Sequence, residues 1–135
     1  MREADDAGTP LLVLGGGSNV LAHDDGFAGL VLRDARQRVV LAADTDCGGV
    51  EFTATAGTTW DDLVREAIAS QWGGFAPLSG IPGTVGAAPV QNIGAYGTEV
   101  AELLASVRAW DRAAGRTVHI PLSELRLTYR DSALK

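Results

Sequence analysis

Residues 79–97, SGIPGTVGAAPVQNIGAYG, constrain the fold of this chain more than any other stretch. Five glycines, two prolines and three alanines in nineteen positions leave too few large apolar groups for a core-filling helix or strand. Glycine serves where a chain takes positive φ or lets another body approach its backbone, and Gly80, Gly83, Gly86, Gly94 and Gly97 recur too often for turns alone. Pro82 suits the first position of a short helix, where its missing N–H costs nothing. Such a helix would run through Val85 and Ala88, its free amides facing an anion or a polar ring. Gln91 and Asn92 add two amide side chains that both donate and accept, which suits the edge of a heterocycle, and Tyr96 adds a ring and a hydroxyl. The stretch reads as backbone presented to a ligand; the alternative is a glycine-rich loop around a buried amide pair, with no ligand.

A second glycine cluster lies upstream. Residues 11–14 form a short apolar run that predicts a buried strand, and it feeds Gly15, Gly16, Gly17, Ser18 and Asn19. Consecutive N–H groups of this kind can form an anion-binding nest, helped by the Ser18 hydroxyl and the Asn19 amide, so the loop is a candidate pyrophosphate cradle. A P-loop would need Lys then Ser or Thr after its last glycine, and a Rossmann fingerprint a glycine or alanine at position 20, where this chain has Val20. A tight turn between two strands is the other reading of these three glycines.

A formal charge of −6 over 135 residues argues against general nucleic-acid or anionic-membrane binding, which need a basic face. Anionic ligands would have to be held locally, by amides and a few arginines. The single Cys47 excludes an intrachain disulfide and points to a reducing compartment; with His23 and His119 it is too scattered for a metal site. No apolar run approaches the roughly 18 to 20 residues of a membrane span.

Taken in order, residues 1–10 read as a polar, frayed end. Strands are expected from Gly29, over residues 39–42 and over residues 50–56, where Val50, Phe52, Ala54 and Ala56 share one face. A surface turn over residues 43–49 holds Cys47, which no basic neighbour activates. Thr59 caps a helix with Asp61 and Asp62 in its first turn. Trp60, Leu63, Val64, Ala67 and Ile68 form its buried stripe, and it ends near Gln71 before Gly73 and Gly74. Strands over residues 106–111 and 116–120 form a hairpin with Trp110 half-buried, a short helical piece surrounds residues 123–125, and residues 128–132 form a loop. Strands in hairpins with few helices favour an α+β fold over a parallel α/β sheet.

Three motifs in one order, GGGSN at 15–19, the stretch at 79–97 and TYRDS at 128–132, resemble the UDP-N-acetylenolpyruvoylglucosamine reductase (MurB) family of bacterial cell-wall synthesis. The resemblance implies an FAD-binding fold of the PCMH/vanillyl-alcohol-oxidase type, with a mostly antiparallel sheet and flanking helices. It implies that non-covalent FAD meets Gly15, Gly16, Gly17, Ser18 and Asn19 through its diphosphate, and Ser79, Gly80, Pro82, Gly83, Gly86, Ala87, Gln91, Asn92, Gly94, Ala95 and Tyr96 elsewhere. It makes Arg130 the catalytic arginine, holding the substrate carboxylate and stabilising an enolate-like intermediate, with Tyr129 beside it at the substrate. Without that context, Arg130 reads as a surface residue paired with Asp131, Glu124 or solvent.

The implied reaction reduces UDP-N-acetylglucosamine enolpyruvate to UDP-N-acetylmuramate with NADPH, in a cytoplasmic and monomeric enzyme of peptidoglycan precursor synthesis. The chain is expected to be an internal piece: residues 1–26 the end of a first FAD-binding subdomain, residues 27–135 a second, and the substrate domain outside it. The family's proton donor, a serine assisted by a glutamate, would also lie outside, so Ser132 is not that donor and the piece alone is not expected to turn over. Two competitors stand beside this reading. One is another flavoenzyme of the same fold, often tethered to flavin through His or Cys; the other is a nucleotide-binding or structural module without catalysis.

Overall fold

A computed structural model of the chain describes residues 1–45 and 49–135. The first element is a helix, α1 (Arg2–Asp6), where the sequence predicts a frayed end. It is held because Ala4 is buried, Arg112 pairs with Asp5, and the Arg2 guanidinium lies 4.8 Å from the Trp110 ring centroid while donating to the Gly115 carbonyl at 2.7 Å. All three contacts are made by residues 110–115, about a hundred positions away, and no local pattern announces them.

The strands pair two by two. β1 (Leu11–Val13) runs parallel to β2 (Leu30–Leu32), Leu12 facing Val31. This pair straddles the expected boundary at residues 26 and 27. The other three pairs are antiparallel: β3 (Val39–Thr45) with β4 (Gly49–Ala54), β5 (Gly94–Ala95) with β6 (Thr98–Glu99), and β7 (Ser106–Asp111) with β8 (Arg116–Pro121). A short helix α3 (Leu122–Leu125) follows β8. The turn expected over residues 43–49 is shorter than that, since residues 43–45 continue β3 and Gly49 opens β4. Cys47, placed in that turn, lies outside the described residues. The fold is thus α+β, as the hairpin pattern implies. Among the described residues no helix is long and apolar enough to cross a membrane.

The core gathers around α2 (Trp60–Ala69). Trp60, Leu63, Val64 and Ala67 are buried on it as the i, i+3, i+4 spacing dictates, but Ile68, expected on the same stripe, is half exposed. Phe52 of β4 stacks on Trp72 with centroids 4.8 Å apart and leans on Phe75, which meets Trp60. Aromatic pairs of this kind add roughly 0.5–1.5 kcal/mol beyond burial. Leu78, fully buried in the 3-10 turn Ala76–Leu78, closes the cluster, and its carbonyl accepts from the Trp60 indole at 2.9 Å. Thr59 occupies the position before α2 but its hydroxyl caps nothing. Its backbone is engaged in an isolated antiparallel bridge with Thr84.

That bridge fixes the glycine-rich stretch and corrects two expectations. Trp60 N donates to Gly83 O at 3.0 Å, Val85 N to Thr58 O at 2.9 Å and Gly86 N to Ala56 O at 2.9 Å. The stretch therefore crosses the start of α2 as a short paired segment, and Pro82 opens no helix. The helical turn comes later, as the 3-10 helix Ala88–Gln91 with Pro89 in its first turn. The amides of Val85 and Gly86, expected to face a ligand, are spent on the protein itself.

Gly86 is needed for the close approach of two backbones. A Cβ there would stand 2.6 Å from the Ala56 Cβ and 3.1 Å from its carbonyl oxygen. Gly86→Val should therefore act on folding, costing at least about 1–3 kcal/mol by overpacking, with thermal unfolding as the readout. A variant that weakens ligand binding at an unchanged melting temperature would contradict this. Leu78→Ala should cost about 2–5 kcal/mol by leaving a cavity beside Trp60, measured by urea unfolding; a loss below about 1 kcal/mol would show that the site collapses.

Candidate functional site

The loop of residues 15–19 leaves β1 and folds onto the glycine-rich stretch. A Cβ at Gly16 would meet the Gly83 Cα at 3.2 Å, and one at Gly15 would meet the Thr84 hydroxyl at 3.0 Å and the Ala87 Cβ at 3.2 Å. The two motifs are thus packed backbone on backbone. Asn19 Nδ2 then donates to Gln91 Oε1 at 3.0 Å, an amide pair that joins them across 72 positions of sequence. Among the described residues, nothing accepts from the main-chain N–H groups of Gly16, Gly17, Ser18 or Asn19. Four consecutive free amides in a glycine loop are an anion-binding arrangement.

These residues line a cleft of about 120 Å³ together with Pro82, Gly83, Thr84, Ala87 and Gln91, floored by Trp60 and Ile93. Sites for whole small-molecule ligands run from about 300 Å³ upward, so this cleft takes one portion of a larger molecule. Its donor set and size suit a phosphate or diphosphate group. Among the described residues nothing accepts from the Gln91 amide N–H groups, while Trp60 belongs to the cleft although no sequence motif marks it.

A second cavity, of about 430 Å³, opens beside Asn92, Gly94, Ala95, Gly97, Thr98, Glu99, Glu102, Tyr129 and Arg130. It collects the C-terminal end of the glycine-rich stretch with the TYRDS motif. The hairpin β5–β6 is closed by the two residues Tyr96 (φ 52°) and Gly97 (φ 82°), both left-handed as a type I′ turn demands. This throws the Tyr96 ring outward, 93 % exposed. Residues 128–131 make a tight turn, Thr128 and Asp131 exchanging two backbone hydrogen bonds of 3.1 Å, with Tyr129 and Arg130 at its tip. Asp131 pairs with Lys135 at 3.1 Å, and among the described residues no carboxylate pairs with Arg130. Of the partners in the surface reading, neither Asp131 nor Glu124 pairs with Arg130 and solvent remains, since the residue is exposed; it lines the second cavity.

Four residues expected at a cofactor are placed otherwise. Asn92 is 2 % exposed and all of its amide is spent inside the protein, so it offers no edge to a heterocycle. Gly86 faces Ala56. Ser79 and Gly80 turn toward α2, where Asp61 Oδ1 accepts from Gly80 N at 2.8 Å and from the Ser79 hydroxyl at 3.4 Å. Asp61 thereby anchors the start of the glycine-rich stretch, a role that its helix-first-turn position concealed.

The Gly80 N–H bond, aided by Arg65 and Ser79, holds the Asp61 carboxyl below its ordinary value of 3.8. A depressed carboxylate stabilises the fold above its unfolded pKa and loses that contribution as pH falls through the folded one. The Gly80 anchor should accordingly persist through neutral and mildly acidic pH and release only in strong acid. An NMR titration of the Gly80 amide should show a midpoint under 3.8 that vanishes in Asp61→Asn; a midpoint above 3.8 would contradict the anchor. Gly16→Val should wedge the two loops apart and weaken FAD binding more than tenfold, measured by flavin fluorescence, with the circular dichroism of α2 kept; unchanged affinity would separate this loop from the ligand.

An α+β fold with a free-amide glycine loop packed on a second glycine-rich segment defines a phosphate-binding class of site. Residues 1–121 match the FAD binding domain family, and the chain belongs to that family. Within it the chain is similar over its whole length to UDP-N-acetylenolpyruvoylglucosamine reductases, which bears out the resemblance carried by the three motifs. It is 52 % identical to that of Nocardia farcinica and 50 % identical to that of Saccharopolyspora erythraea, each over 135 residues and 100 % of this chain, covering 34 % and 37 % of those proteins. The crystal structure of UDP-N-acetylenolpyruvylglucosamine reductase (MurB) from Thermus caldophilus superposes with a TM-score of 0.74 at 28 % identity, over 100 % of this chain and 48 % of that one. The chain spans about a third of the length of the curated relatives it matches.

Proposed function

We propose that this chain supplies the FAD-binding part, and the carboxylate-holding arginine, of an enzyme that reduces UDP-N-acetylglucosamine enolpyruvate to UDP-N-acetylmuramate with NADPH. One observation carries the reading furthest: Arg130, without a carboxylate partner among the described residues, projects from a tight turn beside the cavity that Gly94 and Ala95 line. The family match and the free amides of residues 16–19 support FAD as the cofactor. When bound, FAD would supply the hydride-transfer chemistry, which no side chain of this protein can perform.

The protein's own residues orient and stabilise. The amides of Gly16, Gly17, Ser18 and Asn19 hold the diphosphate, and Gln91 offers its amide N–H groups toward the remainder of the cofactor. Arg130 grips the enolpyruvyl carboxylate with two parallel N–H donors. Hydride addition to the enolpyruvyl double bond pushes charge toward that carboxylate, so the same guanidinium stabilises the transition state more than the ground state. Preorganised donors of this sort contribute about 3–4 kcal/mol. Tyr129, exposed beside it, borders the substrate. The proton for the other carbon comes from a residue outside this chain.

The test is Arg130→Ala and Arg130→Lys in the full-length, FAD-loaded protein. Arg130→Ala should keep FAD and lose on the order of 10²–10³-fold in kcat. Arg130→Lys should recover part of the substrate affinity but not the rate, since it keeps the charge and loses the fork. Full turnover by Arg130→Ala would overturn the assignment.

A further inference from the structure

The turn carrying Arg130 is tied at both ends to the 3-10 helix Ala88–Gln91 and the residue after it. At its start, the Thr128 carbonyl accepts from Asn92 Nδ2 at 3.2 Å. At its end, the Ser132 hydroxyl donates to the Val90 carbonyl at 2.7 Å, and Ser132 is itself buried. Asn92 also donates to Glu99 Oε2 at 2.7 Å and accepts from Ala101 N at 3.2 Å. Its backbone is left-handed, φ 44° and ψ 63°, which asparagine tolerates and most side chains resist. Glu99 is in turn fixed by a reciprocal capping box with Glu102, whose carboxylate accepts from Glu99 N at 2.9 Å. A buried amide with both donors and its oxygen engaged, linked to a carboxylate that is itself capped, has little freedom to move.

We propose that Asn92 and Ser132 are positioning residues for Arg130. They set the place of the guanidinium relative to the glycine-rich stretch, and through it relative to the bound cofactor, without touching substrate. The inference rests on the catalytic reading of Arg130. Neither bond has a spare atom to offer a ligand: the two Asn92 donors are committed, and the Ser132 oxygen also accepts from Leu134 N at 3.1 Å. Misplacement of a catalytic group by about 1 Å costs on the order of 10²-fold in rate, so these two hydrogen bonds should be visible in kinetics although both lie beneath the surface.

The experiment is a double-mutant cycle in the full-length, FAD-loaded protein with Asn92→Gly, Ser132→Ala and Arg130→Ala. Glycine keeps the left-handed backbone and removes the whole side chain, with its three hydrogen bonds. Each single positioning variant should retain FAD and reduce its flavin with NADPH at the parent rate, while losing on the order of 10- to 100-fold in kcat for the enolpyruvyl substrate. In the Arg130→Ala background the same changes should cost almost nothing more, because they act only through Arg130. Ser132→Thr, which restores the hydroxyl, should recover much of the Ser132→Ala loss. Equal losses with and without Arg130 would overturn the inference in favour of a general structural role, as would full activity in both single variants. If Arg130→Ala alone keeps full turnover, the catalytic reading beneath it fails, and the two failures are told apart. Should Asn92→Gly lose its flavin, the Ser132 arm of the cycle decides alone.

Discussion

The bridge between Thr59 and Thr84 is the contact on which the remaining geometry depends. Three backbone hydrogen bonds, Trp60 N–H to the Gly83 carbonyl and the Val85 and Gly86 N–H groups to the Thr58 and Ala56 carbonyls, take a glycine-rich segment with almost no side chains to bury and lay it across the start of α2. Each such bond is worth only about 0.5–1.5 kcal/mol net. Their importance is positional: they join a segment that cannot build its own core to Trp60, Leu63 and Val64, which can. Once residues 83–86 are fixed, the 15–19 loop has a surface to pack on, and the 3-10 helix that follows has a defined starting point.

From that starting point the chain divides its work between two neighbouring residues. Gln91 turns to the glycine loop and the small cleft; Asn92 turns inward and holds the β5–β6 hairpin and the arginine turn. The sequence presents both as one pair aimed at a heterocycle. Amide side chains carry no label of direction, and only the left-handed backbone at Asn92 separates them. Of the buried amide pair in the alternative reading, a glycine-rich loop with no ligand, the structure buries Asn92 alone.

What was legible in the sequence is what local periodicity and turn chemistry decide. The inner face of β4, the stripe on α2 from Trp60 to Ala67, and the β7–β8 hairpin follow from alternation and helical spacing alone. What was not legible depends on distant partners. The docking of α1 on residues 110–115, the parallel pairing of β1 with β2, the Asp61 anchor of Gly80 and the contact of Gly86 with Ala56 all join positions whose pairing no window reveals. The motifs were recognisable as motifs, yet their residues divide between contacts offered outward and contacts spent on the fold, and that division is a tertiary property.

The amide pair of Asn19 and Gln91 does not hold itself together. Its two halves are 72 positions apart, and closing a loop of that length costs about 4 kcal/mol plus a constant in chain entropy, far more than one amide hydrogen bond returns. The cleft therefore depends on α2 and the aromatic cluster to hold the two segments near each other. A nucleotide that bridges both loops acts as a removable cross-link, adding RT ln(1 + [L]/Kd) to stability. Cofactor supply would then govern how long the chain survives proteolysis as well as whether it can react.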